Sequence, residues 1–325
     1  MENKLKNYLN DEHLSIGTRE YLRVLNAGGR PVESLPVAEA RKVLADVQAA
    51  VEVDLSGIDE REREIVADGH ALTLHLVRPH GSRGRLPYFV FIHGGGWVLG
   101  DYPTHRRLIR DLVVESEVAA VFVDYTPSPE AKYPQAVDEI YAAVKWVAEN
   151  DAELDLDRRR MALVGNSAGG NMALAAALLA KKRHAPAVRA LVLLWPVTSA
   201  SSDWKSYALY GGERFLTAPL MKWMFGKYVS DPAQRGNDLM SPVRASAERL
   251  RGLPATLIVV AENDILRDEG EAMGRRLDEA GVEVTTVRFN GVVHDWGMLN
   301  GFAALHPTRT LIRLVGSVLR DYLEK

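Results

Sequence analysis

From about residue 58 onward, short apolar or β-branched runs alternate with helical stretches, and this rhythm constrains the chain more than any other feature. ALTLHLV (71–77) alternates as a half-buried strand does. YFVFIHG (88–94), AAVFVDY (119–125), MALVGNS (161–167), RALVLLWP (189–196), ATLIVVAE (255–262) and VEVTTVRFN (282–290) suit strands buried on both faces. THRRLIRDLVVES, AVDEIYAAVKWVAEN, AGGNMALAAALLAKKR and EGEAMGRRLDEAG read as the helices between them, with TRTLIRLVGSVLRDYLEK closing the chain. Repeated β–α alternation makes an α/β fold: a mostly parallel central sheet with helices on both faces.

Two stretches stand outside the rhythm. Residues 1–55 read as a helical segment: LPVAEARKVLADVQAAV (35–51) keeps a 3.6-residue apolar period, and TREYLRVLN stops at AGGRP. Residues 197–253 hold no obvious strand but carry Trp204, Tyr207, Tyr210, Phe215, Trp223, Met224, Phe225 and Tyr228. An aromatic insertion between sheet strands is expected to form a lid; the alternative is ordinary helices packed on the sheet. The expected organisation is thus an N-terminal helical segment, 1–55, and a catalytic domain, 56–325, with the insertion at about 197–253.

Composition removes several function classes. With 40 basic against 43 acidic residues and a net charge of −3, the chain lacks the clustered basic surplus that nucleic-acid binding needs. It has no cysteine, which excludes disulfides, zinc–thiolate sites, iron–sulfur clusters and a cysteine nucleophile. The polar start MENKLKNYLNDEHL is unlike a signal peptide, and no apolar run reaches the ~18 residues of a membrane span, so a cytoplasmic location is expected. His70, His75 and His80 fit no i,i+4 ligand pair and are read as surface histidines, and no metal site is expected.

The chemistry concentrates at three places. Gly165-Asn166-Ser167-Ala168-Gly169, at the end of a buried strand and the start of an Ala-rich helix, has the form of a nucleophile elbow. The alternatives are a plain glycine-rich turn or a dinucleotide site, but the usual fingerprint is missing and no acidic residue ends the following strand. His93-Gly94-Gly95-Gly96-Trp97 leaves backbone N–H groups unshielded, as an oxyanion hole requires; no Gly-Lys-Ser/Thr follows, so it is not a P-loop, and His93 is read as bracing the loop. His294, just after a late strand, is the expected base, and Asp264, ending the preceding strand, the expected acid. Glu262 and Asp268 compete for the acid role; Glu262 falls within a strand, and Asp268 is read as a helix cap. Asp295, beside the base, is read as a solvated or loop-bonded carboxylate.

Together these motifs, with Asp264-Ile265-Leu266-Arg267-Asp268-Glu269-Gly270 and Val123-Asp124-Tyr125, resemble the hormone-sensitive-lipase-like branch of the α/β-hydrolases from about residue 70 onward. The resemblance implies an α/β-hydrolase core under a helical cap built by the N-terminus and the insertion. It also implies oxyanion donors at Gly95, Gly96 and Ala168, with Gly94 as a further contributor. The activity it implies is that of a carboxylesterase needing no cofactor and acting on a small-molecule ester, with a homodimer as the common assembly. Three departures stand out: Asn166 where aspartate is usual, Thr126-Pro127 where Arg-Leu is usual, and Asp295-Trp296 where Gly-Phe is usual.

The function expected is hydrolysis of short acyl esters by Ser167, His294 and Asp264. Trp97, Trp204, Tyr207, Phe215, Trp223, Phe225 and Trp296 are expected to line an early-filling acyl pocket. An amidase or a long-chain lipase would use the same machinery. A non-catalytic receptor of this fold would lack the histidine that stands here at 294.

Overall fold

The computed structural model describes residues 8–324, so the first seven residues of the expected N-terminal segment lie outside it. Two helices come first, α1 (Ile16–Leu25) and α2 (Val37–Ala49), followed by strands β1 (Ile58–Ala67), β2 (His70–Pro79) and β3 (Leu86–Ile92). Then α3 (Tyr102–Ser116), β4 (Ala119–Asp124), α4 (Gln135–Glu149), β5 (Leu156–Asn166), α5 (Ala168–Arg183) and β6 (Ala190–Leu194) alternate. The stretch expected as a lid carries α6 (Lys205–Tyr210), α7 (Ala218–Tyr228) and α8 (Ala247–Leu250) and no strand. The alternation resumes with β7 (Ala255–Asn263), α9 (Arg267–Glu279), β8 (Val284–Val293) and α10 (His306–Glu324).

The eight strands form one sheet in the order β1-β2-β4-β3-β5-β6-β7-β8. β2 pairs antiparallel with both β1 and β4, and every pairing from β4 to β8 is parallel. This is the α/β architecture the rhythm implies. β1 was not legible in the sequence, because IDEREREIVA is dominated by charge. As an edge strand it needs only one pairing partner, and its charges suit an edge facing water.

Helix α3 opens on a capping box in which Asp101 accepts from the Thr104 N–H at 2.9 Å and the Thr104 hydroxyl accepts from the Asp101 N–H. It packs against α10, whose Leu311, Val315 and Leu319 are fully buried, while α5 packs against α4 and the central strands. Helix α5 is buried along its first thirteen residues because alanines and glycines let it approach the sheet closely from all sides. The ends of β5, β7 and β8 deliver Ser167, Asp264 and His294 respectively. Among the described residues no helix is long and apolar enough to cross a membrane.

Candidate active site

Ser167 stands between β5 and α5 in a left-handed backbone conformation, φ 55° and ψ −122°. For a side chain other than glycine this is strained, and the turn holds it by hydrogen bonds. The Ser167 N–H donates to Leu194 O at 2.9 Å, while its carbonyl accepts from Val197 N and Asn171 N. The flanking glycines are required by contact: a Cβ on Gly165 would lie 2.3 Å from Gly169 O, and one on Gly169 would lie 2.0 Å from Ile92 O. Strand, helix and glycine loop therefore close around the serine only with those residues.

Ser167 Oγ lies 2.9 Å from His294 Nε2, and His294 Nδ1 lies 2.7 Å from Asp264 Oδ2. The acid is itself fixed, since Asp264 Oδ1 accepts from the Leu266 N–H at 2.9 Å. All three side chains are buried. Burial alone would lower the His294 pKa, but the charges of Asp264 and Asp295 outweigh it and hold the imidazole above its ordinary value. The competing acids are occupied elsewhere. Glu262 accepts from Gly291 N at 2.8 Å and pairs with His13. Asp268 accepts from Ser206 N at 2.9 Å and from Arg267, and it sits inside the first turn of α9 rather than capping it, because Leu266 holds the cap position.

The glycine loop lies against the elbow. Gly95 and Gly96 have φ of 97° and 61°. The Gly95 carbonyl accepts from Val98 N and Leu99 N, and Trp97 O accepts from Ser128 N. Among the described residues no protein acceptor faces the N–H of Gly95, Gly96 or Ala168. Gly94 differs from the expectation: its N–H donates to Asn166 Oδ1 at 2.9 Å, so it is engaged and not open to a substrate oxygen. His93 braces the loop as expected, with Nδ1 2.8 Å from Gly94 O and its ring stacked on Tyr125; burial pushes its pKa down to about 3, so it is neutral.

The expected pocket residues separate into groups. Trp97 stacks on Tyr228 and touches Phe225, both from α7, with ring centroids 4.5 and 5.2 Å apart. Met224 of the same helix lies directly over the glycine loop, where a Cβ on Gly96 would be 2.0 Å from its Sδ. Tyr207 is buried, and burial, with the charges of Glu269 and Asp264, lifts its pKa well above the usual value. Trp204 and Phe215 are half-buried, and Trp223 is half-buried with Lys227 over its ring. Trp296 departs from the expectation, because it packs fully buried against Trp195 and Phe289 rather than with the α7 aromatics.

Of the two readings of Asp295 the structure has the bonded one: it is buried and accepts from Trp195 Nε1, just past β6, at 2.5 Å and from Asn166 Nδ2 at 3.0 Å, partners the sequence did not indicate. The N-terminal segment is tied to the strand ends of the triad, through Ser15 N to Gly291 O and Asn263 Nδ2 to His13 O, and to the loop between α6 and α7 through a buried Asp11–Arg214 pair at 2.7 Å. Of the three spaced histidines, His80 is exposed, but His75 stacks on Tyr102 and bonds Asp124, so it is not a surface side chain. Among the described residues no group of three potential ligands could hold a metal.

The family model for the alpha/beta hydrolase fold matches residues 89–298, the span that contains the glycine loop and the whole triad. The chain is an α/β-hydrolase. Ser167, His294 and Asp264 give this hydrolase the catalytic triad of a serine esterase. It is similar to the crystal structure of a thermostable esterase from Pseudomonas putida, with 49% identity, a TM-score of 0.95, and 97% of this chain and 99% of that one covered. It is 33% identical over 286 residues to an ethyl acetate hydrolase of Pseudomonas putida, covering 85% of this chain and 89% of that protein. It is also 32% identical over 266 residues to an arylesterase of Saccharolobus solfataricus, covering 81% of this chain and 83% of that protein.

Proposed function

We propose that this serine esterase hydrolyses carboxylic esters of short acyl chains. The observation that carries the acyl limit is the packing of Trp97, Phe225, Tyr228 and Met224 over the glycine loop, which leaves large side chains where a long acyl chain would have to run. The name of the ethyl acetate hydrolase among its relatives points the same way. In this reading 197–253 is the cap insertion of a 56–325 catalytic domain, and the 1–55 segment completes the cap through Asp11–Arg214 and the bond from Asn26 to Glu213 O.

The reaction follows from the geometry. Ser167 Oγ attacks the ester carbonyl carbon as its proton passes to His294 Nε2, and Asp264 holds the imidazole in the tautomer that accepts there and stabilises the imidazolium. The free N–H groups of Gly95, Gly96 and Ala168 are the donors for the tetrahedral oxyanion; Gly94 is left out because Asn166 already accepts its proton. The imidazolium then protonates the departing alcohol, leaving an acyl-Ser167 ester. The neutral imidazole next activates a water, and acid and free serine result.

A ladder of p-nitrophenyl esters from acetate to palmitate, with Ser167→Ala as control, tests the reading. Each added methylene is worth about 0.8 kcal/mol while the pocket has room. Past filling, strain of ~1–3 kcal/mol reverses the trend. kcat/KM should peak between acetyl and hexanoyl, and Phe225→Ala should move the peak to longer chains. A preference for palmitate, or faster cleavage of an anilide than of the matched ester, would replace this reading with a lipase or an amidase. The reading keeps the cytoplasm as the location to test by cell fractionation and a homodimer as the assembly to test by light scattering.

A further inference from the structure

Two of the three departures from the family pattern, Asn166 and Asp295, stand 129 residues apart in sequence and are bonded to each other in the fold. Asn166 Nδ2 donates to Asp295 Oδ1 at 3.0 Å, and Asn166 Oδ1 accepts the Gly94 N–H at 2.9 Å. Only an amide can do both. An aspartate at 166 would accept from Gly94 but would meet Asp295 with a like charge. Trp195 Nε1 donates to the same Oδ1 at 2.5 Å, so Asp295 accepts hydrogen bonds from both side chains. The other oxygen, Oδ2, lies 3.7 Å from His294 Nε2. That is too long for a hydrogen bond and close enough for a strong charge interaction inside a buried site. Nε2 is also the atom that faces Ser167, so the imidazole stands between two carboxylates, Asp264 at Nδ1 and Asp295 near Nε2.

We propose that Asp295 is a positioning residue for the base: a second carboxylate that stabilises the imidazolium formed when Ser167 gives up its proton, and that is coupled through Asn166 to the glycine loop. The inference rests on the serine-esterase reading of the triad. It explains why a buried carboxylate, costly to keep out of water, is retained next to the nucleophile. It also explains the amide at 166, which joins base and oxyanion loop in one hydrogen-bonded unit.

The surroundings leave few other charges to confuse the effect. From α9, Glu269 is buried, which raises its pKa well above the usual carboxyl range, and its Oε1 accepts from Thr198 N and Ser199 N. From α3, burial lowers the pKa of His105, which feels the Asp295 charge, and His93 of the glycine loop is neutral. Arg107, also from α3, is engaged with Asp111 and with the carbonyls of Gly297 and Met298. Removing the charge of Asp295 therefore removes one of the two anions that favour protonated His294. The histidine must be neutral to act as base, so the loss should extend activity toward lower pH.

The test follows His294 itself. In protein with labelled histidines, its NMR titration, assigned by the signal lost in His294→Gln, should have a midpoint about one pH unit lower in Asp295→Asn than in the wild type. The acidic limb of kcat/KM for p-nitrophenyl acetate should move by the same amount. Asp295→Glu, which keeps the charge, should keep the limb near its wild-type position. If Asp295 only filled space, kcat would fall equally at every pH and both midpoints would stay fixed; that result overturns the proposal. Should Asp295→Asn fail to fold, Asp295→Ser removes the charge by a second route and carries the same expectation. The NMR midpoint needs no turnover. A protein that shows the shift yet leaves the ester intact would support the role of Asp295 and refute the esterase reading.

Discussion

A methyl group added at Gly96 should disable the oxyanion loop, and shortening Met224 should restore most of what is lost. A Cβ at 96 would lie 2.0 Å from Met224 Sδ, 2.5 Å from Cγ and 2.8 Å from Cε. Such distances cannot be borne, so either α7 lifts away or the loop turns and carries its N–H groups out of register. Losing one oxyanion donor lowers kcat by roughly 10²–10³, or about 3–4 kcal/mol. The backbone at φ 61° adds a further strain of about 1–2 kcal/mol for alanine. In Gly96→Ala/Met224→Ala all three clashing atoms are gone and only that strain remains, a loss of roughly 5–30-fold. The double variant should therefore turn over p-nitrophenyl acetate roughly 10²–10³-fold faster than Gly96→Ala, a coupling of about 3–4 kcal/mol. Met224 is buried, and Met→Ala there costs about 2–5 kcal/mol of stability, so all four forms must be assayed well below their melting temperatures with circular dichroism recorded alongside. If the two losses in kcat simply multiply, Met224 does not hold the loop and the reasoning fails.

Ser167→Ala and His294→Ala should each lower kcat by about 10⁶ with unchanged circular dichroism, because nucleophile and base act as one unit. Asp264→Asn should cost about 10⁴, and a larger loss in Glu262→Gln would move the acid role to Glu262. Arg214→Ala should destabilise the protein by ~3–5 kcal/mol in urea unfolding, since it breaks a buried ion pair with Asp11 in which both side chains are 1% exposed. A loss below ~1 kcal/mol would mean that this pair does not fasten the N-terminal segment.

The triad was legible in the sequence because its chemistry is tied to strand ends: an elbow must follow a buried strand, and acid and base must follow later ones. Strand β1 was hidden because an edge strand needs no continuous apolar face, and its IDEREREI run looks like a solvated stretch. Trp296 was misplaced because sequence neighbourhood to His294 suggested the substrate side. The turn after β8 carries it instead into contact with Trp195, while His294 faces Ser167. The partnership of Asn166 with Asp295 had a signal, since both positions stood out singly. Nothing in a linear pattern says that an amide and a carboxylate so far apart answer one another; only the fold, which turns the chain after β8 back toward the end of β5, brings them together.

The ties of the N-terminal segment bear on how the chain is made. Gln48 donates to Met298 O and accepts from Asn300 N, bonds that span 250 and 252 residues, and Asn263 reaches His13 across 250. Helix α2 meets Val98 and Thr104 soon after it is made, but the bonds of Gln48 with Met298 and Asn300 and of His13 with Asn263 wait for residues that follow much later. At about 5–20 residues per second those late bonds wait roughly 10–50 s. The fold is closed by α1 and α2 docking against the residues around the end of β8, so a chain stalled before β8 leaves these amphipathic helices without part of their seat, for chaperones to shield.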